Sequence, residues 1–132
     1  MVRGVYETVL YGEDIAAMRR FYVELLGLRP VNNRTSELGI AMRLNDGTML
    51  LVFDPRQSAR EGRGAPTSGA SGPGHVAFAV GANEFEDLRQ SLARAGCAIE
   101  LERGWEPGGR SIYVRDPAGN SIEFVVGEVW PA

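Results

Sequence analysis

Lysine is absent from the sequence: all fourteen basic residues are Arg. Without a lysine amine, no side chain can form a Schiff base with a carbonyl substrate or meet a substrate phosphate as an ammonium. Cysteine is almost absent as well. The single Cys97 excludes an internal disulfide, fits a reducing compartment, and reads as a small buried hydrophobe opening a strand. No run approaches the ~20 apolar residues needed to cross a bilayer. The opening stretch MVRGVYETVL lacks the charged start and apolar core of a signal peptide. A cytoplasmic, soluble protein with no membrane partner is therefore expected. Seventeen Asp and Glu outweigh the Arg, for a net charge of -3, and no basic stripe is available to neutralise a phosphate backbone. Nucleic acid is excluded as a partner on that ground.

What the sequence does contain is a pattern written twice. Residues 7–12, ETVLYG, alternate like a half-buried strand, and Asp14 is a good N-cap for a helix whose apolar positions are Ile15, Met18, Phe21, Tyr22, Leu25 and Leu26, with Gly27 as the stop. Residues 75–80, HVAFAV, again read as a strand. There Asn83 and Glu86 have capping-box spacing, Phe85, Leu88, Leu92 and Ala95 form the apolar face, and Gly96 ends the helix. Three strand-like runs follow each helix: LRPVNN, GIAMRLN and TMLLVF, then AIELER, RSIYVRD and NSIEFVV. Glu7 and His75 stand 68 positions apart, Asp14 and Asn83 69, Gly27 and Gly96 69, and Gly47 and Gly119 72. This steady offset predicts a duplicated βαβββ module, residues 1–54 and 75–132. Residues 55–74, rich in Gly, Pro, Ser and Ala, read as a linker without an element of its own. The linker is long enough for either half to pair within its own chain or with a second copy.

Duplicated strands that curl into a cup place equivalent side chains on its inner wall. Superposing the halves sets Glu7 opposite His75 and Leu51 opposite Glu123. Alternation puts Val9, Tyr11, Met49 and Phe53 beside them in the first half, and Ser121 in the second, all on the face away from the helices. Such a wall, apolar with a few polar groups, has the composition of a small-molecule site. Two carboxylates and an imidazole converging there would repel and desolvate one another unless a cation lay between them. Glu7, His75 and Glu123 are therefore the expected ligands of a divalent metal, with positions left open for water or substrate.

These residues resemble the vicinal oxygen chelate superfamily, which includes glyoxalase I, extradiol dioxygenases, fosfomycin-resistance thiol transferases and bleomycin-resistance proteins. The likeness is carried by LYGEDIAAMRRFYVELLGL, by GPGHVAFAV, and by VRDPAGNSIEF with its Asp-Pro-x-Gly-Asn turn leading to a ligand Glu. It implies an α+β fold of two βαβββ modules, a cup-shaped mixed sheet with helices outside, and one divalent ion per site chelating two neighbouring substrate oxygens. By position it assigns the ligand role to His75, Glu123 and Glu7. Leu51 departs from glyoxalase I, which uses a fourth protein ligand at that place.

The expected activity is metal-dependent action on a small, partly apolar substrate, with lyase, isomerase, dioxygenase and transferase chemistry all open. The alternative is a metal-free drug- or metabolite-binding protein of the bleomycin-resistance type. Mn²⁺, Fe²⁺, Ni²⁺ and Zn²⁺ suit the donor set equally. A homodimer is expected. Tyr113, on one face with Ser111, is a candidate proton or hydrogen-bond donor alongside the carboxylates Glu7 and Glu123. Arg110 is the Arg expected to meet substrate. Trp105, in the loop RGWEPGGR, either lids the pocket or packs beneath it.

Overall fold

The computed structural model describes residues 1–31 and 36–132. The chain divides into two compact units, Met1–Gly72 and Pro73–Ala132. In the first, β1 (Glu7–Tyr11) leads into α1 (Ile15–Arg19), which widens into a π-helical segment over Arg20–Leu25. β2 (Arg29–Pro30), β3 (Gly39–Arg43), β4 (Met49–Phe53) and the one-turn helix α2 (Pro55–Ser58) follow. The second unit holds β5 (His75–Ala79), α3 (Phe85–Arg94), β6 (Leu101–Gly104), β7 (Arg110–Arg115) and β8 (Ser121–Val126). Each unit builds one four-stranded sheet, ordered β1-β4-β3-β2 and β5-β8-β7-β6. The class is α+β, as expected, and the duplication extends to strand order and direction.

The start of α1 follows from its sequence: the Asp14 side chain accepts the Ala17 backbone N–H at 3.0 Å, satisfying one of the donors every helix start leaves open. Gly27 then leaves the helix at φ +76°, a conformation that suits glycine. Met18, Phe21 and Tyr22 are buried, and α1 lies against β3 and β4, where Met42, Leu50 and Val52 are fully buried. In the second unit Phe85 and Leu92 of α3 are buried, as are Ile112, Val114, Ile122 and Phe124 of the strands. Burying side chains of this size contributes roughly 1.5–3 kcal/mol each.

Two expectations change. The segment read as a featureless linker opens with α2, because Asp54 caps it by accepting the Arg56 N–H at 2.9 Å and Pro55 sits at a first-turn position where no N–H is needed. Ser58 and Ser68 then bond across the segment, Ser68 N–H to Ser58 O and Ser58 Oγ–H to Ser68 O, so most of it belongs to the first unit. The Asn83–Glu86 capping box does not form: a tight turn, Glu84 N–H to Gly81 O, delays the helix to Phe85 and leaves no side-chain cap. Of LRPVNN, Arg29–Pro30 pairs as a strand, and its Asn32–Asn33 end lies outside the described residues.

The turn at 116–120 fixes the register on which the second sheet depends. Asp116 is buried, and its carboxylate accepts the N–H groups of Ala118 and Asn120 and the Asn120 side-chain amide, while Gly119 takes φ +86°. Asn120 is thereby turned to accept the Gly74 N–H at 2.8 Å, and the Ser121 N–H reaches Gly74 O. Parallel strands cannot be registered by a hairpin, so this bridge between residues 46 apart sets His75 opposite Ser121 and Ala77 opposite Glu123. Asn120→Ala should destabilise the protein by about 1–3 kcal/mol, the cost of leaving buried partners unpaired, read as a lower urea midpoint. An unchanged midpoint would show that the bridge does not hold the register.

Candidate functional site

Strand pairing aligns one face of the second sheet. Ala77, Glu123, Tyr113 and Leu101 lie in one row, and Ala79, Val125, Ser111 and Arg103 in the next. His75 and Ser121 begin the adjacent row. The opposite face carries Val76, Phe78, Ile112, Val114, Ile122 and Phe124, so the alternation read from the sequence holds.

Glu123 is only 7% exposed. A carboxylate so placed must be compensated. Its Oε2 accepts the Ser111 hydroxyl at 2.5 Å, and Ser111 Oγ in turn accepts the Trp105 indole N–H at 2.9 Å. Its Oε1 faces His75 Nε2 at 3.3 Å. The other imidazole nitrogen, Nδ1, is 2.9 Å from the Ser121 carbonyl oxygen. A carbonyl only accepts, so Nδ1 carries the proton. In the neutral ring Nε2 is then a bare lone pair aimed at a carboxylate oxygen, and two such atoms at this distance need a proton or a cation between them. An imidazole oriented by a backbone carbonyl, with its free nitrogen beside a carboxylate, is the donor arrangement metal sites use. His75 Nε2 and Glu123 Oε1 would suit two coordination positions of a divalent ion, and a proton between them satisfies the same pair.

Tyr113 lies across from Glu123 in register, its ring stacked toward His75 with centroids 6.3 Å apart. Burial first, and the negative charge of Glu123 second, push its phenol above the usual tyrosine range, so it stays protonated as a donor.

The remaining candidates fall in different places. Glu7 opens β1 of the first unit, exposed and opposite Met49; Val9 pairs with Leu51 and Tyr11 with Phe53 on that same face. Leu51 has the register position in the first sheet that Glu123 has in the second, flanked by Val9 and Ala41 as Glu123 is by Ala77 and Tyr113. The structure thus brings together His75, Glu123, Tyr113 and Ser121, while Glu7, Val9, Tyr11, Met49, Leu51 and Phe53 belong to the other unit. Among the described residues, no three His, Cys, Asp or Glu side chains gather as a metal-holding group. One residue off the Ser111 and Tyr113 alternation, Arg110 turns to the helix side, donates to Glu102 at 3.0 Å and lies 5.0 Å over the Phe85 ring. Ser111 and Trp105 also enter the site. Alternation alone put Ser111 on this face; nothing in the loop sequence fixed the direction of the indole.

Glu123→Gln removes a charge that raises the Tyr113 phenol, so the Tyr113 pKa should fall. Titration of ¹³C-labelled tyrosine by NMR reads the change, and an unmoved pKa would mean the two groups do not interact.

The family model described as Glyoxalase/Bleomycin resistance protein/Dioxygenase superfamily matches residues 4–124. Among curated proteins, a virulence protein of Salmonella typhimurium is 32% identical over 123 residues, covering 88% of this chain and 78% of its own. Glutathione transferase FosA of Serratia marcescens is 30% identical over 129 residues, covering 98% and 84%. Among solved structures, a lactoylglutathione lyase from Agrobacterium tumefaciens superposes with a TM-score of 0.88 at 32% identity, over 98% of each chain. No helix among the described residues is long and apolar enough to cross a membrane.

Proposed function

Because the chain belongs to the glyoxalase/bleomycin resistance protein/dioxygenase superfamily, we propose that it is a divalent-metal-dependent enzyme gripping two neighbouring oxygens of a small, partly apolar substrate. The observation that carries this reading is His75 Nε2 facing the buried Glu123 at 3.3 Å while Nδ1 is committed to the Ser121 carbonyl. His75 Nε2 and Glu123 Oε1 are the first two donors. Glu7, the third donor expected from the sequence, opens the first sheet at the position His75 holds in the second. Leu51 contributes no donor, which leaves positions for substrate.

Bound there, Mn²⁺, Fe²⁺, Ni²⁺ or Zn²⁺ supplies a Lewis acid that stabilises negative charge developing on the substrate oxygens. Tyr113 presents a protonated hydroxyl at the same face, and Glu7 and Glu123 are the carboxylates available to move a substrate proton. Val9, Tyr11, Met49, Leu51 and Phe53 share the Glu7 face of the first sheet as an apolar surface, and Ser121 orients His75 through its carbonyl. Similarity to a lactoylglutathione lyase and to a glutathione transferase supports lyase or transferase chemistry over oxygenation. The working unit is a homodimer, a reading supported by the exposed Val2, Val5 and Tyr6 just ahead of the edge strand β1.

Elemental analysis after dialysis against Mn²⁺ tests the proposal. Wild-type protein should retain one ion per chain, while Glu7→Ala and the His75→Ala, Glu123→Ala double variant retain none. A wild type as metal-poor as the double variant would sink the metal-dependent reading and favour metal-free sequestration of a drug or metabolite.

A further inference from the structure

We infer that Trp105, acting through Ser111, is a positioning residue that fixes the orientation in which the Glu123 carboxylate is offered to His75. The inference rests on the metal-site reading above for its purpose, and on hydrogen-bond direction for its content. A serine hydroxyl has one proton and accepts through its oxygen. Because Ser111 Oγ accepts the Trp105 indole N–H at 2.9 Å, its own proton is directed to Glu123 Oε2, 2.5 Å away. A hydroxyl-to-carboxylate bond of this length is among the stronger kinds. Ser111 is fully buried, so no water competes for the position.

A glutamate carboxylate otherwise turns over a broad torsion. Tying one oxygen to Ser111 holds the carboxylate plane so that the other stays turned to His75 Nε2.

Two features hold the indole in place. The Arg103 guanidinium lies 3.7 Å from the Trp105 ring centre, and a cation on the π face fixes the ring and draws density from it, strengthening the N–H as a donor. The backbone turn does the rest. The Trp105 N–H bonds Gly109 O, and the Gly108 N–H returns to Trp105 O with Gly108 at φ +105°. The Gly109 N–H donates to Glu128 O at 2.8 Å, so close that any side chain at 109 would collide with that carbonyl. The turn bearing Trp105 is thereby bolted to the chain just beyond the strand that carries Glu123.

Mn²⁺ titration of wild type, Ser111→Ala, Trp105→Phe and Ser111→Thr tests the inference, alongside indole N–H exchange in the metal-free proteins. Trp130 is 80% exposed and serves as the internal control. Ser111→Ala and Trp105→Phe should weaken Mn²⁺ binding about 10–100-fold, the usual effect of removing a group that orients a ligand, with Ser111→Thr restoring most of it. In metal-free Ser111→Ala the slow exchange of the Trp105 indole should be lost while Trp130 is unchanged. Wild-type affinity in both Ser111→Ala and Trp105→Phe would overturn the inference. If wild type itself takes up no Mn²⁺, the metal reading fails, and exchange decides the inference alone: a Trp105 indole as fast as Trp130 in wild type overturns it, whereas slow exchange lost on Ser111→Ala upholds it.

Discussion

A carboxylate placed between Ile122 and Phe124, with 7% of its surface left to solvent, is a charge the fold must answer for. One oxygen is answered by the Ser111 hydroxyl. The other faces the imidazole of His75, whose Nδ1 is held by the Ser121 backbone carbonyl. Around it the second unit is organised as support: the Asp116–Asn120 turn sets the strand register, Ser121 orients the ring, and the Trp105 loop holds the carboxylate. Each support also contributes stability, because each satisfies a backbone or side-chain group that the site would otherwise leave unpaired.

Comparison of the two halves shows how duplication left room for this specialisation. The first sheet has the same strand order and an equivalent turn, where exposed Asp46 accepts the N–H and hydroxyl of Thr48 and the Met49 N–H reaches Tyr6 O. That turn lacks an asparagine where the second has Asn120, so its link to the neighbouring strand is made by backbone. It leads to Leu51, which needs only to be buried. The second turn leads to Glu123, whose partner must arrive in register, and it carries the additional side-chain bridge to Gly74. The difference between the halves is one of precision, and it tracks the change from an apolar to a charged side chain.

Much of this was legible in the sequence because it depends on period and offset. Repeat spacing gave two modules, alternation gave the face shared by His75, Ser121, Glu123 and Tyr113, and Asp14 and Gly27 marked the ends of a helix. The readings that failed depend on three-dimensional competition between local options. Asn83 and Glu86 have capping spacing, yet a turn closing on Gly81 uses the same residues differently. Asp54-Pro55 starts a helical turn inside a segment whose composition argues for none. Trp105 was undecidable from the chain alone, since the direction of an indole N–H depends on a loop closed by Gly109 against a carbonyl nineteen residues further on.

The chain contains a single histidine, so its imidazole nitrogens give one unambiguous pair of ¹⁵N resonances, and these test the central claim most directly. With diamagnetic Zn²⁺ added, Nε2 should move to the position of a metal-bound nitrogen while Nδ1 keeps its proton and its coupling to the Ser121 carbonyl. Both resonances standing still, or Nδ1 responding in place of Nε2, would contradict the account.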